Sequence, residues 1–154
     1  MNVISQQCRA LFGALGDMSQ LWRDVVHPFM VEHWRLQFNT AGSQGGRSWA
    51  GLEPKYAASQ MALGDSIVPL EVSRSARLEP SFVNPTSAEH IFSFSKNSMQ
   101  AGSSVPYASS LATGGTGPFG ETYPSRDPRV MTPGQIDDLR ALVFAWFRSK
   151  YGGR

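Results

Sequence analysis

Between Asn97 and Ser125 the chain runs through 29 residues of which seventeen are Gly, Ser, Thr or Pro, and Glu121 is the only charge among them. Such a segment buries too little apolar surface to offset its own ordering entropy of ~1–2 kcal/mol per residue. Yet structureless loops beyond ~12–15 residues are uncommon in compact domains unless they serve a function. Tyr107, Leu111, Phe119 and Tyr123 are spaced through it as anchors. The stretch 97–125 therefore reads as an arm that becomes ordered against something else, with a short helix around Tyr107–Leu111 punctuating it.

The whole chain, residues 1–154, suits one domain, since 154 residues suffice to bury a single core. Only 17% of residues are charged against a usual ~25%, which suggests that part of the surface is covered. A formal net charge of +2 disfavours a dedicated nucleic-acid binder. The single cysteine, Cys8, excludes an internal disulfide, and His27, His33 and His90 cannot complete a Cys/His zinc cluster with it. The first eighteen residues make a poor secretion signal, and no stretch approaches the ~18 apolar residues of a membrane span, so synthesis in a reducing cytoplasm is expected.

Residues 5–39 read as helix interrupted by Pro28, where a kink or restart is expected. Leu21, Val25 and Phe29 recur at i, i+4 and i+8, widened by Trp22, Val26 and Met30. Phe29, Trp34, Leu36 and Phe38 follow on the second piece. Three glycines in the run 41–47 end the helix. Pro54 suits the first turn of a short helix closed by Gly64, with Tyr56, Ala57 and Met61 facing inward and Trp49 sealing it against a neighbour. Ile67–Val72 and Leu78–Val83 flank a polar turn, the second favoured as extended by Pro80 and Pro85. His90–Ser95 alternates apolar and polar and predicts a strand with Phe92 and Phe94 on one face. Thr132-Pro133-Gly134-Gln135 is a capping box opening a helix to about Tyr151, with Ile136, Leu139, Val143, Trp146 and Phe147 on one stripe.

Motifs that would carry chemistry are sparse. Gly115–Thr122 has glycine spacing like that of a phosphate loop, but Glu121 stands where a lysine must reach the phosphates. His27 and His33, six apart, lie on different helix faces and read as structural or solvent-facing. Cys8 has no nearby basic partner. No catalytic centre, metal site or cofactor is expected. Asp127 lies between Arg126 and Arg129. It reads either as a solvated turn or as a corner stiffened by Pro124 and Pro128, whose arginine forks are offered to a carboxylate on an adjacent subunit.

The order of motifs resembles a known family. The run Phe38 to Gly46 followed by Trp49-Ala-Gly-Leu-Glu-Pro-Lys-Tyr56, then Leu70–Ser81, Val105-Pro-Tyr107-Ala108 to Gly114, and Pro124–Thr132 is similar to the phage virion morphogenesis (tail completion) family of tailed bacteriophages. Ser75-Ala76 stands where that family usually has Thr-Gly, and the Gly-rich insertion 114–120 is longer than its pattern. The resemblance implies a non-enzymatic virion component of the neck or tail end, assembled in the host cytoplasm as a ring of copies, a hexamer being expected. Tail tube or sheath proteins and head connector proteins would be its partners, and DNA would pass through without sequence-specific binding or any membrane contact. Heterologous ring interfaces pair a projecting part with a receiving groove. The residues expected at that interface are Trp49 and Tyr56, the arm's Tyr107, Leu111, Phe119 and Tyr123, and the corner's Arg126, Asp127 and Arg129. The expected fold is α+β, a small antiparallel sheet flanked by N-terminal and C-terminal helices. The competing readings are a monomeric binding module and a small hydrolase.

Overall fold

The computed structural model describes residues 16–64, 77–116 and 122–151. A helical rod opens it in three pieces: α1 (Ser19–Leu21), a π turn (Trp22–Val26) and α2 (His27–Asn39). Pro28 does not break this rod. It sits in the first turn of α2, and the His27 backbone N–H reaches five residues back to the carbonyl of Trp22. The widened turn shifts the hydrogen-bond register by one residue just where proline lacks a donor and would crowd the carbonyl four residues earlier.

After a 3-10 turn (Ser43–Gly45) come α3 (Pro54–Leu63) and α4 (Leu78–Val83). Strands β1 (His90–Phe94) and β2 (Met99–Ser103) form an antiparallel hairpin in which Ile91 faces Gly102 and Phe94 faces Met99. Helix α5 (Ala108–Thr113) leads to a two-residue ribbon of β3 (Gly115–Thr116) and β4 (Thr122–Tyr123), and α6 (Pro133–Tyr151) ends the described chain. The fold is α+β, with the hairpin between flanking helices. Among the described residues no helix is long and apolar enough to cross a membrane.

Two apolar clusters share the rod. Val31, Trp34 and Phe38 of α2 pack with Trp49, Leu78, Phe82 and Val105, and Phe82 meets Trp34 edge-on at 5.1 Å between ring centres. Met18, Leu21 and Val26 form the other, covered by Leu139, Val143, Trp146 and Phe147 of α6. Met30 touches both.

Several sequence expectations are met. The capping box closes reciprocally: the Thr132 N–H donates to Gln135 Oε1 at 2.8 Å, and the Gln135 N–H to Thr132 Oγ1 at 3.2 Å. Strand β1 and the helix around 107–111 form, and Phe92 and Phe94 sit side by side, 5.3 Å between ring centres.

Others are corrected. Leu78–Val83 is helical, not extended, because Leu78 and Phe82, one turn apart, are both buried in the core. Pro80 falls in the first turn, where no intrahelical donor is needed. Only Asn84, directly before Pro85, takes the extended conformation. Met61 and Leu36 face solvent rather than the interior, and Ile136 lies at the exposed margin of its stripe. The arm expected over 97–125 is largely part of the body: Met99–Ser103 pairs with β1, and Val105 and Ala112 are buried. Of the described residues of that stretch, Gly115, Thr116 and Thr122 of the ribbon are exposed, and Phe119 and Glu121 lie outside the described residues. Cys8 and Ile67–Val72 do too.

Candidate functional site

The conformation of the corner at 125–132 is fixed by elements far away in sequence. The rod ends at Asn39, and Gly42, at φ +81°, turns the backbone so that Trp49 folds under it. The Trp49 N–H donates to the Ala41 carbonyl at 2.7 Å, and its ring meets Phe38 edge-on at 5.6 Å. The 3-10 turn is pressed against Val130: a β-carbon on Gly45 would lie 2.7 Å from the Val130 carbonyl oxygen and 2.5 Å from Gln37 Nε2. Gln37 itself donates from Nε2 to that carbonyl at 3.1 Å, and Gln135 donates from Nε2 to the Gln44 carbonyl at 3.0 Å.

Arg126 is the central clamp, only 8% exposed. Its Nε and one terminal nitrogen donate to the Ala50 carbonyl at 3.2 and 3.1 Å, and the same terminal nitrogen donates to the Gly51 carbonyl at 3.2 Å. The Arg126 backbone N–H donates to the Leu111 carbonyl at 2.8 Å, tying in α5. Burial holds its pKa below the usual arginine value. Beside it Asp127 accepts the Arg129 backbone N–H at 2.9 Å and the Arg129 side chain at 2.8 and 3.0 Å. Burial pushes the Asp127 carboxyl up, but the hydrogen bonds from Arg129 outweigh it and leave it below the ordinary aspartate value. The expected offer of the Arg126 fork to another subunit is thus corrected, since it holds main-chain carbonyls of its own chain, while the Arg129 fork holds Asp127 at the surface.

The remaining interface candidates separate. Trp49 is a core residue, 8% exposed, and Leu111 is half-buried against the main core. Tyr107 is exposed. Tyr56 lies in α3, and Tyr123 in β4 pairs with Gly115.

Sequence reasoning missed two features. His33 is 4% exposed and neither ring nitrogen makes a hydrogen bond of full geometry. Burial lowers its pKa, opposed by the carbonyls of Val130 and Pro128, which favour the charged ring. His33 also lines a groove of about 250 Å³ between α2 and the start of α6, with apolar walls at Phe29 and Leu36 and carboxylates at Glu32 and Asp138. The other missed feature is a contact between His27 and His90, 63 residues apart, which no local spacing signals.

Comparison with known protein families, characterised proteins and solved structures finds no match to this chain.

Proposed function

We propose that this chain is a structural virion protein of a phage neck or tail end, a tail completion, terminator or head-to-tail joining component that assembles as a ring of identical copies around the DNA conduit and catalyses nothing. The motif order described above is the source of the reading. The observation that carries it on the physical side is apolar surface left uncovered by the chain's own fold. Helix α6 has no fully buried residue, and its Phe144 is 65% exposed, with Leu142 and Tyr151 also at the surface. On α3, Met61 is 65% and Leu63 58% exposed. Large exposed side chains on a lightly charged surface are what an assembly covers.

The groove walled by Phe29 and Leu36 supplies a concave patch, and the outer side of α6, with Leu142 and Phe144 exposed, supplies a convex one. Closed rings of heterologous contacts use such unlike surfaces. A corner held rigid by Arg126 from inside keeps α6 and the ribbon at a set angle to the body, so that successive copies meet at a constant rotation.

Sedimentation of the purified protein over a range of concentrations, with and without tail tubes, tests this reading. A closed oligomer, free or formed only on the tube end, is expected. A monomer under every condition, together with infectious particles assembling normally in its absence, would overturn the reading.

A further inference from the structure

His27 and His90 face each other across the junction between the rod and the hairpin, their Nε2 atoms 2.9 Å apart. The protons in this contact can be assigned. His90 Nδ1 lies 3.0 Å from the Ser81 carbonyl oxygen, which only accepts, so Nδ1 carries a hydrogen. The neutral His90 ring then has a lone pair on Nε2, and the bridging hydrogen belongs to His27 Nε2. His27 is 8% exposed and stacks flat on Phe92, 3.7 Å between ring centres. The helix, the strand and α4 are therefore joined through one chain of directed hydrogen bonds.

We propose that His27 and His90 form a proton-operated latch: the neutral pair holds the β1–β2 hairpin on the helical rod, and acid releases it. A first added proton leaves one N–H between the rings but places a charge in a nearly dry contact. A second puts N–H against N–H at the same short separation, and the bond is lost. Release therefore takes up two protons, which makes it steeper in pH than the titration of one imidazole.

The charged groups on the neighbouring elements are engaged elsewhere, Lys96 of the hairpin turn with Asp17 at the start of the rod. On the rod, Arg23 and Asp24 neutralise each other one turn earlier, as do Glu32 and Arg35 further on. Next to the strand, Glu89 is paired with Arg77 at the start of α4, and Glu79 of α4 has a partner of its own. Strand β2 carries no ionisable side chain. On α6, which covers the π turn, Asp137 pairs with Arg140, and Lys150 donates to Gln20. Burial first, and the facing His90 ring second, hold the His27 pKa below the usual imidazole value. No three His, Cys, Asp or Glu side chains gather to hold a metal among the described residues, so the two rings answer to each other. The latch belongs to a single copy and stands independently of the ring reading.

Amide hydrogen exchange on the full chain tests it, with protection in β1 and β2 compared between the unmodified chain and His90→Gln after correction for intrinsic rates. Between about pH 7.5 and pH 5 the hairpin is expected to lose roughly a hundredfold in protection, two protons being bound on release. In His90→Gln the glutamine oxygen still accepts from His27 in either charge state, so the loss of hairpin protection falls to about tenfold or less. Hairpin protection that does not fall with pH, or an undiminished loss in the variant, would overturn the proposal. Nitrogen NMR of the unmodified chain gives a second test that needs no variant: at neutral pH His90 must carry its hydrogen on Nδ1, and finding it on Nε2 refutes the latch. Zinc chloride at about pH 7.5 is expected to leave hairpin protection unchanged. A rise that His90→Gln abolishes would make the pair a metal clamp and overturn the proposal.

Discussion

The indole of Trp49 lies so close over Gly42 that a β-carbon at that position would come within 2.5 Å of two of its ring atoms and 2.6 Å of the Arg47 carbonyl oxygen. The same glycine holds φ at +81°, where an L side chain costs about 1–2 kcal/mol even in open space. Gly42→Ala is therefore expected to destabilise by roughly 3 kcal/mol, strain and overpacking together. Urea unfolding followed by tryptophan fluorescence checks this, and a change below about 1 kcal/mol would mean that the loop moves aside.

Arg126 bridges main-chain carbonyls on the segment after Trp49, and a lysine keeps the charge without the planar fork. Arg126→Lys is expected to lose about 1–2 kcal/mol, a figure insensitive to added salt because the partners are neutral carbonyls rather than carboxylates. Denaturant titration at low and high ionic strength tests both parts.

His33 is buried with its charged form disfavoured, so the folded state resists a proton that the unfolded state accepts near pH 6.5. With a folded pKa below the unfolded one, its stability contribution is complete above about pH 6.5 and is lost as pH falls below that value. His33→Leu removes two poorly bonded ring nitrogens. It is expected to leave stability at pH ~7.5 unchanged or raised, and to flatten the decline toward pH ~5 by up to one proton. Unfolding free energies at three pH values decide this, and a strongly destabilised variant at neutral pH would show that the ring bonds the Pro128 and Val130 carbonyls after all.

Phe144 has most of its surface in solvent on the outer side of α6. Phe144→Asp should change the isolated chain's stability by no more than about 0.5 kcal/mol while weakening self-association at least tenfold, if copies meet through this helix. Thermal melting of dilute protein and sedimentation of concentrated protein separate the two effects.

Deleting residues 113–122 removes most of the ribbon but leaves the hairpin, the capping box and both apolar clusters in place. The far-ultraviolet circular dichroism should stay close to that of the intact chain while tail joining fails. Infectious particles at normal yield would exclude the ribbon from assembly.

What could be read ahead of the structure was local. The capping box and the last helix follow from four adjacent residues and a repeating stripe, and β1 from a six-residue alternation. Leu78–Val83 misled because two prolines are visible at short range, whereas the burial of Leu78 and Phe82 against Trp34 and Phe38 is a property of the whole core. The composition of 97–125 hid a strand for the same reason, since Met99–Ser103 is held by β1, by the clusters on which Met99 and Ala101 pack and by Ser81 against Ser103, most of them far away in sequence. At the corner, Pro124, Arg126 and Asp127 were conspicuous, but the carbonyls that Arg126 holds lie 75 and 76 residues away in sequence. His33 and the His27–His90 contact gave no periodic signal at all.

The π turn ahead of Pro28 also sets how the two ends of the rod are aimed. Its extra residue offsets Met18 and Leu21 by about 100° from where an unbroken α-helix would carry them relative to Trp34 and Phe38. One continuous shaft thus presents one flank to α6 and another to the main core, like a key cut on two sides. Excising a single residue between Trp22 and Val26 would turn the first flank by a quarter rotation and strip α6 of its seat, although no contact in the larger cluster would have been touched.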